Sequence, residues 1–240
     1  MEKLPATCSC ARIRHLATLA RVMTDLSNAD SLADALARHQ IALQPEQQAA
    51  IERYCRMLWQ KNQHLNLTRH TDYEKFVSRD LVDAQAIASQ LEPGETVLDV
   101  GTGGGVPGIL LAILRPDLHV QLCESVGKKA RAVEEFVREL GLNIPVHAER
   151  AESVLGQRSF DTLVARAVAP LPKLLRWLRP YWSSFGRLLV VKGPAWLEER
   201  REARRLHLLD GFRLRRRASW PLPGSHNQSV LLEISPETEE

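Results

Sequence analysis

The spacing of apolar positions changes near residue 93. Before it they recur at helical intervals: Ile51, Tyr54, Cys55, Leu58 and Trp59 fall on one face. Ser31 precedes Leu32, Ala35 and Leu36, as an N-cap precedes an amphipathic turn. Pro45 suits the first turn of the next helix, and residues 62–66 read as its end. Asp72 is placed to cap a third helix with Phe76, Val77, Leu81, Ala84 and Ile87 as its buried stripe. The pattern therefore predicts a helical cap over 30–92, preceded by a flexible or marginally helical extension, 1–29.

After the turn signal Pro93-Gly94, short apolar runs alternate with helical patterns. Strands are predicted at 96–100, 118–123, 144–147, 160–165 and 187–191. Helices are predicted at 107–114, 128–140, 171–178 and 196–207. Two more strands, 212–217 and 229–234, flank Pro221-Leu222-Pro223-Gly224 and suggest an antiparallel hairpin. Such alternation implies an α/β, doubly wound and mostly parallel sheet over 93–240. A ligand of that sheet belongs beyond the carboxyl ends of its strands, at the switch point.

Composition narrows the class. Hydrophobic residues at 44% and charged residues at 25% supply an ordinary globular core. Cys8, Cys10, Cys55 and Cys123 are irregularly spaced, which fits free thiols in a reducing compartment and no metal site. No apolar run reaches the roughly 18 residues of a membrane span, and no secretory pattern opens the chain, so a cytoplasmic protein with no membrane partner is expected. Aromatics at 5% do not advertise a base-stacking platform. Two arginine clusters stand out: Arg200, Arg201, Arg204 and Arg205, softened by nearby acids, and Arg213, Arg215, Arg216 and Arg217, with no acid among them. Strand alternation puts Arg213, Arg215 and Arg217 on one face, as an RNA-phosphate surface or as a charged, soluble sheet edge.

The densest chemistry lies in Val97-Leu98-Asp99-Val100-Gly101-Thr102-Gly103-Gly104-Gly105-Val106-Pro107-Gly108. Glycines permit positive φ and close approach of backbone to a ligand. Glu124 ends the next strand, where an acid accepts hydrogen bonds from a nucleotide ribose. Gly103, Gly105 and Gly108 satisfy the dinucleotide fingerprint, so an NAD(P)-type cofactor stays open. Asp99 argues for S-adenosyl-L-methionine instead, because a carboxylate suits an ammonium and a sulfonium and repels a pyrophosphate.

Further stretches carry a resemblance. Trp59-Gln60-Lys61-Asn62-Gln63-His64-Leu65-Asn66-Leu67-Thr68, Asp99 to Gly108, Glu124-Ser125 with Lys128-Lys129, Arg150-Ala151-Glu152, Asp161 with Arg166-Ala167-Val168-Ala169, and Lys192-Gly193 recur in one family. Over roughly residues 51–234 the chain resembles the bacterial small-subunit rRNA guanine-N7 methyltransferases, the RsmG or GidB family. The resemblance implies a seven-stranded class I methyltransferase (Rossmann-like) sheet with an N-terminal helical cap. It implies methylation of guanine N7 in the decoding-region loop of 16S rRNA, with 16S rRNA or an assembling small subunit as partner; nothing in the sequence marks an oligomer, and a monomer is favoured. It further implies cofactor contacts from Gly101, Val106, Ala151, Glu152 and Arg166, with Glu124 on the ribose. The chain departs from the family at Asp80 and Ala84, where the family has His and Ser, and at Asn227-Gln228-Ser229, where it tends to have a basic residue.

The residues thus expected at a cofactor are Asp99, Gly101, Gly103, Gly105, Val106, Glu124, Ala151, Glu152 and Arg166. No catalytic group is assigned, and the candidates are Asp83, Arg166 and Lys192. Guanine N7 has a free lone pair, so proximity can do most of the catalysis. Asp80 and Asp83 are weighed mainly as solvated helix residues. Arg166 and Lys192, at strand ends on the ligand rim, read equally as buried ion pairs or as groups facing a phosphate-bearing substrate. Two other readings stay open: an NAD(P)-dependent oxidoreductase, and a non-catalytic RNA-binding relative suggested by Asp80 and Ala84.

Overall fold

The computed structural model describes residues 31–222 and 224–237, so the extension expected over 1–29 lies outside the described residues. The cap holds α1 (Leu32–Arg38), α2 (Pro45–Leu65), α3 (Tyr73–Lys75), a π-helical stretch (Phe76–Leu81) and α4 (Val82–Ala88). Its caps are those the sequence predicts. The Ser31 side chain accepts from the Asp34 N–H, and Asp72 accepts from the Lys75 N–H. Phe76, Val77, Leu81, Ala84 and Ile87 are all fully buried. The π-helical stretch interrupts the regular helix between α3 and α4, and Asp80 lies within it.

The sheet comprises β1 (Thr96–Val100), β2 (His119–Cys123), β3 (Val146–His147), β4 (Phe160–Arg166), β5 (Phe185–Lys192), β6 (Phe212–Pro221) and β7 (Gln228–Pro236). Its order is β3-β2-β1-β4-β5-β7-β6. The first five strands pair in parallel, and β7 runs antiparallel between β5 and β6. Between strands come α5 (Gly108–Leu114), α6 (Gly127–Glu139), α7 (Ala151–Leu155), α8 (Leu171–Leu178) with a 3-10 turn (Arg179–Ser184), and α9 (Trp196–Arg205). The short α7 is an addition to the pattern read from sequence; five residues are too few to establish a helical period.

Alternation on the strands divides the apolar residues between two cores. Val97 joins the core under the cap, α5 and α6, while Leu98 and Val100 join the core under α7, α8 and α9. A bulge in β6 between Arg216 and Ala218 breaks that alternation. Phe212 and Leu214 pack against the second core, whereas Ala218 and Trp220 pack against the first. Without the bulge, Trp220 would face the same side as Phe212 and Leu214.

Chain order reverses between β1 and β4, so the crevice opens at their carboxyl ends. The cap is fastened to this crevice. The buried Tyr54 hydroxyl donates to the Gly104 carbonyl at 2.7 Å, and a Cβ on Gly104 would lie 2.9 Å from Leu58 Cδ1. Gln47 donates to the Ile113 and Leu114 carbonyls at the end of α5, and Lys61 forms an ion pair with Glu135 of α6.

Candidate cofactor cleft

A cleft of about 560 Å³ lies where the fold predicts a ligand. Of the expected cofactor residues, Gly101, Gly103, Val106, Glu124, Ala151, Glu152 and Arg166 line it. Asp99 and Gly105 do not.

Asp99 instead shapes the loop from beneath. It is fully buried, and its Oδ2 accepts from the Thr102 hydroxyl at 2.5 Å and from the Gly108 N–H at 2.8 Å. Desolvation is the largest influence on it and pushes its pKa up to about 6, against the two hydrogen bonds. Gly105 has a packing role: a Cβ there would lie 2.5 Å from Ile109 Cδ1 and 3.2 Å from the Tyr54 hydroxyl. Gly101 and Gly103 take φ of +69° and +62°, so the loop bends in a region where side chains are strained. The Gly101 and Thr102 N–H groups both donate to the Cys123 carbonyl, which ties the loop to the end of β2.

Glu124 is buried and spans two turns. Its Oε2 accepts from the Gly103 N–H at 3.0 Å and its Oε1 from the Val126 N–H at 2.7 Å. A carboxylate offers about four acceptor positions, so two remain for a ligand hydroxyl. The apolar lining comes from Val100, Val168, Leu174 and Leu178. Leu58, Leu67 and Thr68 of the cap close one end. The sequence motif that contains Leu67 and Thr68 gives no sign of this placement. Its Asn62 side chain accepts from the Leu67 and Thr68 N–H groups, which folds the turn against the cleft.

Arg166, on the cleft wall, has two buried acidic partners. Its guanidinium bonds Asp80 at 2.5 Å and Asp83 at 3.1 Å. Asp80 also lies 2.9 Å from Nδ1 of His70, and Asp83 accepts from the Trp220 indole N–H at 3.1 Å. The result is a continuous polar chain: His70, Asp80, Arg166, Asp83, Trp220. It corrects the expectation that Asp80 and Asp83 are solvated: they are 1% and 7% exposed. Burial is the larger influence on Asp83 and raises its pKa to about 6, although Arg166 pulls the other way. Burial opposes the charge on Arg166, but the two acids outweigh it and raise its pKa.

For Lys192 the structure shows the buried ion pair, the first of its two readings: it is absent from the cleft lining, 8% exposed, pairs with Glu199 at 2.6 Å and donates to the Ala169 carbonyl at 2.8 Å. Glu199 accepts from the Leu171 N–H at 2.6 Å, so the pair pins both sides of Pro170 in the loop after β4. Among the described residues no group of three or more His, Cys, Asp or Glu is placed to hold a metal.

The donors decide which cofactor fits. A pyrophosphate needs free N–H groups on the glycine loop and at the following helix start. Here the Gly103 N–H is taken by Glu124 and the Gly108 N–H by Asp99. Two carboxylates thus occupy the donors that an anionic bridge would require. A phosphate-free ligand bearing a cation and a ribose fits that arrangement.

Residues 47–220 match the family model of GidB, the rRNA small subunit methyltransferase G. The chain belongs to this rRNA small subunit methyltransferase G family. It is 51% identical over 173 residues to ribosomal RNA small subunit methyltransferase G of Rhodopirellula baltica, covering 72% of this chain and 75% of that one. With the Pseudomonas aeruginosa (strain LESB58) protein of the same name it shares 34% over 206 residues, 85% and 94% of the two chains. Among solved structures, the fold is similar to TrmK of M. capricolum in complex with S-adenosyl-homocysteine: TM-score 0.52, 13% identity, 64% of this chain and 67% of that one. It is also similar to a mutant of MtNAS in complex with S-adenosylmethionine: TM-score 0.52, 18% identity, 96% and 100% of the two chains. These likenesses establish a class I methyltransferase fold. The departures of this rRNA methyltransferase G family member at Asp80 and Ala84 remove nothing from the cleft wall. Asp80 pairs with Arg166, and Ala84 is packed in the cap-side core.

Proposed function

We propose that the chain transfers a methyl group from S-adenosyl-L-methionine to N7 of a guanine in the decoding-region loop of 16S rRNA. The single observation that carries the cofactor choice is the capture of the Gly103 and Gly108 N–H groups by Glu124 and Asp99. The substrate follows from membership of the family. When bound, the cofactor supplies an electrophilic methyl on sulfur. Glu124 would accept the ribose hydroxyls, Gly101 and Gly103 would admit the ligand close to backbone, and Val100, Val168, Leu174 and Leu178 would exclude water from its apolar parts. The lone pair on N7 needs no base, so the contribution of the chain is alignment.

Of the three catalytic candidates only Arg166 stands on the cleft wall. Held by Asp80 and Asp83, it presents a fixed guanidinium beside the reacting groups. The two acids offset the charge of the guanidinium, so the wall adds less repulsion to the positive charge that builds on an alkylated guanine. On this reading the partner is 16S rRNA or the assembling small subunit, and the chain acts as a monomer in the cytoplasm. No helix among the described residues is long and apolar enough to cross a membrane.

The test of the cofactor is thermal unfolding with each candidate ligand. S-adenosylmethionine at 100 times its Kd should add about 2.7 kcal/mol to stability, and NAD(H) should leave the transition in place. Stabilisation by NAD(H) and none by S-adenosylmethionine would reverse the assignment.

A further inference from the structure

Two arginine-bearing or lysine-bearing surfaces compete as the side on which RNA approaches, and topology separates them. On β6, Arg213, Arg215 and Arg216 are exposed. They pair with Ser235, Glu233 and Leu232 of β7. The carboxyl end of β5, at the cleft side of the sheet, pairs Lys192 with Val230 instead. The β6 arginines therefore sit along the sheet edge, set back from the ends of the strands where the glycine loop lies. Arg217 is engaged within the fold by Gln90 and Glu233.

The outward face of α8 is placed differently. Lys173, Arg176 and Trp177 follow one another at helical spacing and are all exposed. Trp177 lines the cleft and is 37% exposed, one of the few large apolar side chains left in water. The Lys173 ammonium lies 5.0 Å from the Trp177 ring centroid. The segment from Pro170 to Ser184 contains no acid. Lys129 and Arg150 also line the cleft, together with the acids Glu124, Glu149 and Glu152. An indole with a cation on it, beside further cations at the mouth of a cleft, is the arrangement that holds a single-stranded nucleotide: base on the ring, phosphate on the cation.

We propose that the outward face of α8 is the docking surface for the rRNA strand next to the target guanine, with one base stacked on Trp177 and flanking phosphates on Lys173 and Arg176. The inference rests on the rRNA methyltransferase reading and adds to it the side from which the substrate enters. Composition concealed this feature: with aromatics at 5% of the chain, one tryptophan matters only through where the fold puts it.

The experiment measures binding of full-length protein to a labelled 16S rRNA transcript over a range of salt, beside calorimetric titration with S-adenosylmethionine. Three variants are compared: Lys173→Glu with Arg176→Glu, Trp177→Ala, and Arg213→Glu with Arg215→Glu. The α8 charge reversal should weaken RNA binding at least about tenfold and make its salt dependence shallower by about one to two in slope. It should leave S-adenosylmethionine affinity within about twofold of the parent. Trp177→Ala should weaken RNA about tenfold, more than it weakens the cofactor. The β6 reversal should have the smaller effect on RNA. Parent-like RNA binding by both α8 variants, or a loss confined to the β6 variant, would overturn the proposal. So would a Trp177→Ala variant that loses cofactor affinity as much as RNA affinity, which would place the indole over the cofactor. A parent protein that methylates rRNA while both α8 variants bind it normally sinks this inference alone; a parent that neither binds nor methylates rRNA sinks the underlying reading as well.

Discussion

Replacing Arg166 by methionine is expected to cost about 3–5 kcal/mol of stability at neutral pH, the usual result of leaving buried acids without their cation. Asp80 and Asp83 are 1% and 7% exposed, and each would lose its bond to the guanidinium. Among the described residues, His70 and Trp220 would remain as their side-chain hydrogen-bond partners. The deficit should depend on pH in a definite direction. Burial already raises the pKa of Asp83 to about 6 in the presence of Arg166, above its unfolded value. Without the cation that opposes burial, the folded pKa moves higher still. A carboxyl group whose folded pKa exceeds its unfolded pKa loses stability as pH rises from the unfolded value through the folded one. The methionine variant should therefore come closer to the parent near roughly pH 4, where Asp83 is protonated in both proteins, and fall furthest behind above neutrality. Denaturant unfolding at a series of pH values checks this. Adding Asp80→Asn and Asp83→Asn should recover most of the loss, because the uncompensated charges are then gone. A deficit independent of pH, or one unrelieved by the two asparagines, would mean that the cluster does not hold the structure through its charges.

Gly108→Ala should cost about 1–3 kcal/mol by overpacking. It should also weaken S-adenosylmethionine binding by about tenfold or more, the scale of a 1.4 kcal/mol misfit in the loop. A Cβ on Gly108 would lie 2.1 Å from Leu122 Cδ2, 2.8 Å from Asp99 Oδ2 and 3.0 Å from Asp99 Cβ. Leu122 and Asp99 are fully buried, so neither can give way without moving α5 off the sheet. That movement would break the bond from the Gly108 N–H to Asp99 and release the loop that Asp99 holds. Gly94→Ala is the comparison. Its φ is +80°, and nothing lies within 4 Å of the added carbon. It should cost about 1–2 kcal/mol of backbone strain and leave cofactor affinity unchanged. Calorimetric titration and denaturant unfolding of the two variants separate a steric effect on the site from a backbone effect away from it.

The glycine loop and the Arg166 cluster differ in how far local sequence determines them. The switch in apolar pattern at Pro93-Gly94 is enough to place each strand within a few residues, because strands buried on both faces read as short apolar runs bounded by turns. The glycine loop was legible because its local chemistry requires those residues in order. Partners were not legible. Asp83 meets Arg166 across 83 positions and Trp220 across 137, and no local pattern reports such a contact. Both acids read as solvated because they sit in a helical segment; the π-helical stretch that contains Asp80 carries no sequence period of its own. The sequence places Asp99 near the end of β1, but whether its carboxylate faces the ligand or the loop depends on the way Gly108 comes back over the strand. Trp220 turns toward Asp83 through a bulge that an unbroken strand alternation would not contain.

Methyl transfer to the decoding-region guanine is tested by mass analysis of nucleosides from unmethylated 16S rRNA, free and in small subunits, after incubation with this protein and S-adenosylmethionine. One new 7-methylguanosine per 16S rRNA is expected, in the decoding-region loop and dependent on S-adenosylmethionine. No gain of 7-methylguanosine in either substrate, with the cofactor shown to bind, would contradict it.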